Sequence, residues 1–162
     1  MITSPKSFLL YLAILLTGLA AGLFLAWAVS VLPGTQRVSD GSYLESMQSI
    51  NRAILNPAFF LIFLGPVFAL SATAFHHYPA RTPFLLLFGA ALLYLIGTFG
   101  VTAWGNVPLN DQLEVLQLAD LSPQQAQSFR AQYETRWNRF HWLRTIASVG
   151  AFCAALLAAF LK

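Results

Sequence analysis

The sequence predicts an all-α integral membrane protein built as a four-helix bundle, and three observations support this fold class. Only 9% of the residues are charged and 57% are hydrophobic, whereas soluble domains have roughly 25% charged residues. The charges are also segregated, so that four long windows contain no Asp, Glu, Lys or Arg. Each window can hold the roughly 20 residues that cross about 30 Å of hydrocarbon. We therefore predict contact with a lipid bilayer and one domain over residues 1–162, with spans at about 8–32, 57–75, 83–104 and 141–161.

A short amphipathic helix is predicted between the first two spans. Pro33-Gly34 is expected to break the first helix. Between residues 43 and 54 apolar side chains then recur at helical spacing, and Gln48 and Asn51 lie beside this stripe. Both amides should therefore point towards the bundle or its mouth. Asn56-Pro57 suits the start of the second span, with Asn as the cap and Pro at the first helical position.

The remaining two connections differ in length. Only residues 76–82 separate the second and third spans, which predicts a tight antiparallel hairpin. The connection to the fourth span is longer and contains Ser122-Pro123-Gln124-Gln125, which matches a capping box. A helix starting at Ser122 and running into the fourth span would be too long for the bilayer, so its first half should extend outside the membrane.

The predicted spans place residues 33–56 and 105–140 on one side of the membrane and both termini on the other. The side with the termini carries three basic residues and no acids, while the other side carries six acids and, with Arg144 near the start of the fourth span, six basic residues. A count of basic residues alone would place the long connections in the cytoplasm. Several of those basic residues, however, belong to the projecting helix or to a candidate site. We therefore expect cytoplasmic termini, in a bacterial inner membrane.

Polar residues gather where the third span ends and the fourth begins. The segment Gly105-Asn106-Val107-Pro108-Leu109-Asn110-Asp111 follows one apolar run, and Trp137-Asn138, His141 and Arg144 precede another. Such side chains are costly to desolvate without partners. One interpretation is a loop in which Asn110 caps a short helix while Arg144 extends to the interface. The grouping of these residues with Asn51 on one side favours a ligand site.

Other classes of site have less support. A haem between two histidines is disfavoured because His76 and His77 lie at the opposite membrane end from His141. A zinc or iron site of His141, Asp111 and Glu114 stays an alternative without any recognised metal-binding motif. The basic residues are scattered and form no basic-aromatic patch, so no nucleic-acid partner is expected.

Four groups of residues occur in a characteristic order. They are Gly22-Leu23-Phe24-Leu25-Ala26-Trp27 with Pro33-Gly34, Met47-Gln48-x-x-Asn51 with Asn56-Pro57, Asn106-Val107-Pro108-Leu109-Asn110-Asp111, and Trp137-Asn138-x-x-His141-x-x-Arg144-Thr145. In order and spacing, over nearly the whole chain, they resemble the anthrone oxygenase family, a group of small four-helix membrane proteins. The resemblance implies an oxygenase that turns an anthrone into an anthraquinone with dioxygen and without a recognised cofactor.

Within this resemblance His141, Arg144 and Asp111 are the catalytic candidates. His141 would remove a proton next to a carbonyl, Arg144 would stabilise the enolate oxygen, and Asp111 would fix the imidazole tautomer. An enolate can itself transfer an electron to dioxygen, so no metal is required. The amides would orient an aromatic or quinone-like ligand and the tryptophans would stack on it. These ligand-binding candidates are Trp27, Gln48, Asn51, Trp104, Asn106, Asn110, Trp137 and Asn138.

Two other functions stay open at this point. In the first, the polar residues form a structural network in a non-enzymatic accessory subunit, or in a protein that binds a small lipid or a quinone. In the second, the protein is a metal-dependent oxidase. The sequence also leaves open whether the chain forms an oligomer.

Overall fold

The computed structural model describes residues 4–78 and 80–161, which fold into five principal helices and no β-strand. The helices are α1 (Pro5–Thr35), α2 (Asp40–Ala53), α3 (Pro57–His76), α4 (Arg81–Glu114) and α5 (Pro123–Phe160), with a 3-10 turn at Leu118–Asp120. Of these, α1, α3, α4 and α5 are long and apolar enough to cross a membrane. The predicted all-α fold with four spans, and a short helix before the second, is confirmed.

The four long helices form an up-down bundle in which neighbours in sequence are neighbours in space. Helix α1 packs against α3 and α5, and α4 packs against the same two helices. Small residues fill much of the interior of the bundle, where they let helix backbones approach closely. Large apolar side chains face outwards, as expected for helices in contact with lipid, and include Leu19, Phe68, Ile96, Ile146 and Leu157.

The predicted helix starts are confirmed by their capping bonds. The Asn56 side chain accepts a hydrogen bond from the Phe59 amide at 3.0 Å. At the start of α5 the Ser122 side chain accepts from the Gln125 amide, and the Gln125 side chain accepts from the Ser122 amide. From this capping box α5 continues for 38 residues, or about 57 Å at 1.5 Å per residue. Because this exceeds the thickness of the hydrocarbon, the first part of α5 extends past the bundle and supports α2.

The prediction that Pro33-Gly34 breaks the first helix is wrong. Helix α1 continues to Thr35 because residues Trp27–Val31 form a π turn, in which the Leu32 amide bonds to the Trp27 oxygen. A proline inside an α-helix removes one donor and clashes with the carbonyl four residues earlier. A π turn widens the backbone immediately before the proline, which removes the need for a break.

The prediction of a loop at residues 106–111 is also wrong, and a second π turn explains why. The π turn Thr102–Asn106 precedes Pro108, and α4 continues through this segment to Glu114. Asn110 is therefore inside a helix and does not cap a new one. Its side chain is free to reach the neighbouring helix, which brings the polar segment into the bundle.

Candidate functional site

Helix α2 lies across one end of the bundle and is held there by Arg130 on α5. The guanidinium donates to the backbone oxygens of Thr35, at 3.1 Å, and Val38, at 2.8 Å. It also forms ion pairs with Asp40, at 3.1 Å, and Glu134, at 2.8 Å. The end of α1 and the start of α2 are thus joined to the extension of α5 by one side chain.

A second attachment comes from Gln48, which was predicted to bind a ligand. Its Nε2 donates to the oxygens of Leu113, at 2.8 Å, and Leu116, at 3.1 Å, at the C-terminal end of α4. Terminal helix carbonyls lack partners within their own helix, so this amide satisfies them. Beneath Arg130 lies the ring of Tyr43, at 4.4 Å. Burial, together with the negative charge of Glu134, raises the pKa of Tyr43 and keeps its phenol neutral.

Below α2 lies a cavity of about 300 Å³ to which all five helices contribute. Its walls are largely aromatic and apolar, and its polar groups come from α2, α4 and α5 together with the Trp27 indole of α1. Such a combination is typical of small-molecule sites. Seven of the predicted site residues line it: Trp27, Asn51, Asn110, Asp111, Trp137, His141 and Arg144.

The inner end of the cavity is formed by a bonded pair, His141 and Arg144. His141 is fully buried, and its Nε2 lies 3.1 Å from the Phe24 oxygen. Since a carbonyl oxygen only accepts, Nε2 carries the proton and Nδ1 has the lone pair. That lone pair accepts from Arg144 Nε at 3.2 Å and Nη2 at 3.0 Å. Both ring nitrogens are therefore hydrogen-bonded, and the orientation of the imidazole is fixed.

Arg144 is a buried cation whose surroundings contain no anion. The residue is 8% exposed, and Nη1 donates to the Thr102 hydroxyl at 3.4 Å. Its Cζ lies 4.7 Å from the centre of the Phe24 ring and 5.1 Å from that of Trp137. Aromatic faces attract a cation but do not neutralise it. Among residues 4–78 and 80–161, no carboxylate lies within 4.0 Å of this guanidinium.

A hydrogen-bonded cluster between α4 and α5 supports one wall. The Asn110 side-chain oxygen accepts from Trp137 Nε1 at 2.8 Å and from the Tyr133 hydroxyl at 3.2 Å. Behind it, Asn106 Nδ2 donates to the Trp137 backbone oxygen at 3.2 Å. The Trp137 ring in turn stacks on His141, with centroids 5.1 Å apart. These bonds set the position of the wall and leave Trp137 with no free donor.

Two other buried donors on the lining residues have no partner. They are Trp27 Nε1 and Asn51 Nδ2, each inaccessible to solvent and without a hydrogen bond among the described residues. Such groups cost roughly 1–3 kcal/mol when left unsatisfied. The Trp27 ring lies 6.1 Å from Trp137, so both indoles belong to the same wall.

Charged residues occupy the outer end of the cavity. Arg52 on α2 and Glu114 on α4 form an ion pair at 2.7 Å, with both side chains substantially exposed. Asp111 is exposed beside them and forms no hydrogen bond with His141. The predicted role of Asp111 in fixing the tautomer is therefore wrong: the Phe24 carbonyl and Arg144 hold the ring instead.

The structure does not bring the remaining predicted ligand-binding residues to the cavity. Trp104 is 81% exposed because it lies nearly opposite Thr102 on the helix, and Thr102 faces inwards. Asn106 is buried behind Trp137, and Asn138 lies on a neighbouring face of α5 with its buried oxygen unpartnered. Gln48 attaches α2 to α4, as described above.

Other lining residues were missed by the sequence reasoning. Thr102 lies one turn before Asn106 and could have been found from helical spacing. Phe24 and Phe59 carry no such signal, because aromatic residues are common in every span. Tyr133 shares a predicted face with Trp137, but its bond to Asn110 depends on the α4 helix continuing past Pro108.

The described part of the chain contains no group of three or more His, Cys, Asp and Glu side chains arranged to hold a metal ion. The alternative site of His141, Asp111 and Glu114 is therefore not formed, although all three residues line the cavity.

Comparison with known protein families places the chain. The model of a family described as Anthrone oxygenase matches residues 53–154, which include α3, α4 and most of α5. No curated protein and no solved structure shows significant similarity to the chain.

Proposed function

Because the chain belongs to the anthrone oxygenase family, we propose that it oxidises an aromatic, enolisable compound with dioxygen inside the membrane. The observation that carries this proposal is Arg144, a buried guanidinium without an anion at the inner end of an aromatic-walled cavity. A fixed, desolvated cation at such a place stabilises negative charge that develops on a substrate oxygen. The neighbouring His141 is a group that can exchange a proton.

The reaction type is the conversion of an anthrone to an anthraquinone. A proton leaves the ring methylene, and the electron pair moves onto the carbonyl oxygen as an enolate. The enolate transfers electrons to dioxygen, and a carbon–oxygen bond forms at the former methylene carbon. Loss of water then gives the quinone, so that one dioxygen is consumed, one of its oxygens stays in the product and the other leaves as water.

In this mechanism His141 is the base and Arg144 holds the enolate oxygen. In the structure the His141 Nδ1 lone pair accepts from Arg144, so it cannot take a proton in this arrangement. A substrate oxygen that draws the guanidinium towards itself would release Nδ1 at the same time. Substrate binding and activation of the base would thus be coupled.

The further elements of the proposal concern cofactor and location. The substrate enolate supplies the electrons, so we propose that no resident metal or organic cofactor takes part and that dioxygen is the co-substrate. We also propose a bacterial inner membrane with cytoplasmic termini, because several basic residues on the other side are committed elsewhere: Arg144 to the cavity, and Arg130 to the attachment of α2.

Oxygen uptake with anthrone tests the proposal. The wild-type protein in lipid nanodiscs should consume dioxygen and form anthraquinone faster than empty nanodiscs, which report spontaneous oxidation. His141→Gln and Arg144→Gln should each lower the enzymatic rate by about 10²-fold or more. Arg139→Gln, an exposed change on the same helix, should retain it. A rate equal to that of empty nanodiscs, or one abolished by a chelator and restored by a metal, would contradict the proposal.

The alternative is a non-enzymatic ligand-binding role. The hydrogen-bonded cluster of Asn110, Tyr133 and Trp137 favours it, because these polar groups satisfy one another and support the wall of the cavity. Saturable binding of anthrone without oxygen uptake would support this alternative.

A further inference from the structure

We infer that the cavity binds the anionic form of its aromatic ligand, with a carboxylate or phenolate-type oxygen against Arg144 and Trp27. The inference deepens the proposed function, on which it rests for the choice of cavity. It concerns the charge of the ligand before any chemistry, which the oxygenase proposal leaves open.

The hydrogen-bonding character of the cavity carries the inference. Two donors on the lining residues lack a good partner: Trp27 Nε1 has none, and Arg144 Nη1 has only a long bond to Thr102. The Asn110 Oδ1 acceptor beside these donors already takes two hydrogen bonds, and the Asp111 carboxylate is exposed at the outer end of the cavity. A ligand that satisfies this site must therefore present acceptors.

Charge restricts the ligand further. The groups packed around Arg144 are neutral: His141 and Thr102 accept its hydrogen bonds, and Phe24 and Trp137 present ring faces. The carboxylates of Asp111 and Glu114 are exposed at the outer end, where Glu114 is paired with Arg52. A buried cation without a counterion is strongly unfavourable, whereas an anion brought into contact with it would also be desolvated and held.

The walls indicate that this anion is carried by an aromatic compound. Phe24, Trp27, Phe59 and Trp137 surround the approach to the guanidinium. Indole and phenyl faces favour flat rings in stacked or edge contacts. A volume of about 300 Å³ is at the lower end of the range for small-molecule sites. It suits two or three fused rings bearing a short acidic group.

Three probes with one ring system test the charge preference: 2-naphthoate, its neutral methyl ester and the cation 2-naphthylmethylammonium. Binding is measured by equilibrium dialysis with protein in phosphatidylcholine nanodiscs, and empty nanodiscs correct for partition into lipid. We expect 2-naphthoate to bind at least tenfold more tightly than the ester, and the cation to bind most weakly. An ester that binds as tightly as the acid would overturn the inference.

Variants then connect the preference to the named residues. Arg144→Gln should abolish it and Arg144→Lys should retain part of it, which separates loss of charge from loss of structure. Trp27→Phe should weaken 2-naphthoate a few-fold and weaken the ester less, because the donor contributes more to an anionic oxygen than to a neutral one. The exposed Arg139→Gln serves as the matched control and should keep the preference. Retention of the preference in Arg144→Gln, with circular dichroism confirming folded protein, would refute the assignment.

Lipid headgroups are another source of an anion. Nanodiscs with the same total lipid, in which phosphatidylglycerol replaces part of the phosphatidylcholine, test this source. If phosphatidylglycerol displaced 2-naphthoate, the site would bind a lipid headgroup, and the inference of an aromatic ligand would be wrong. Because none of these measurements requires turnover, the two proposals fail separately. Anthrone oxidation without an anion preference would contradict only this inference, and an anion preference without oxygen uptake would contradict only the proposed function.

Discussion

Two tryptophans in one wall show how an identical side chain can have opposite energetic roles. Trp137 Nε1 donates to Asn110 at 2.8 Å, while Trp27 Nε1 is buried without a partner. The first indole contributes a hydrogen bond to the folded protein, and the second leaves one unmade. Only an unpartnered donor such as Trp27 Nε1 can gain a hydrogen bond when a ligand binds.

Replacement of each indole by phenylalanine tests this difference. Trp137→Phe should destabilise the protein by about 1 kcal/mol beyond the effect of the smaller ring, because the bond to Asn110 is lost. Trp27→Phe removes an unsatisfied donor and should be less destabilising by a similar amount. Thermal unfolding in one detergent provides the measurement. An equal loss of stability in both variants would show that the Trp27 indole has a partner in the ligand-free protein.

At the scale of the elements, α4 and α5 approach each other closely at Gly97. A Cβ added at Gly97 would lie 2.6 Å from the Ala147 Cβ, which cannot move away by rotating. Gly89, on the same helix, has nothing within 4 Å of the corresponding position. Small residues therefore matter at one position of α4 and not at the other.

Gly97→Ala should separate the two helices and destabilise the bundle by about 1–3 kcal/mol, as overpacking does in other cores. Gly89→Ala should leave stability unchanged or raise it slightly, since alanine favours a helix. The comparison uses the temperature at which helical circular dichroism is lost. Equal stability of the two variants would mean that α4 and α5 do not approach as closely as described.

The attachment of α2 gives a second prediction at this scale. Arg130→Gln removes both ion pairs and the bonds to the end of α1. Amide hydrogen exchange over residues 36–53 should then become faster, while the four long helices exchange as before. Arg136→Gln, an exposed change one to two turns along α5, is the control. Unchanged exchange in Arg130→Gln would place the main attachment of α2 elsewhere, with Gln48 as the next candidate.

Much of this architecture follows from local sequence signals. Charge-free windows identify the spans, and Asn56 and Ser122 identify two helix starts, because these features act over a few residues. The continuation of α1 and α4 past Pro33 and Pro108 could not be predicted in this way, since proline ordinarily ends a helix. The inward face of Arg144 was evident from its spacing to Trp137, whereas its lack of an acidic partner is a property of the packed bundle.

For the whole molecule, the arrangement of the helices puts the cavity and the termini at opposite ends. Cytoplasmic termini would therefore place the cavity near the outer face of the membrane. A phosphatase fused after Lys162 should be inactive and a green fluorescent protein at the same position should fluoresce, because the first requires export and the second fails after it. The reverse pattern would show that the termini face away from the cytoplasm and that the cavity lies near the cytoplasmic face of the membrane.

The two π turns before prolines also define a register between the halves of α1 and α4. A hydrogen bond from residue i to i+5 encloses one residue more than that of an α-helix, so the chain beyond it is offset by one position, or about 100° of rotation. Deletion of a single residue within Thr102–Asn106 would leave α4 almost as long and just as apolar. It would nevertheless turn Asn110 and Asp111 away from the cavity, so the polar face of the site depends on the number of residues in one turn.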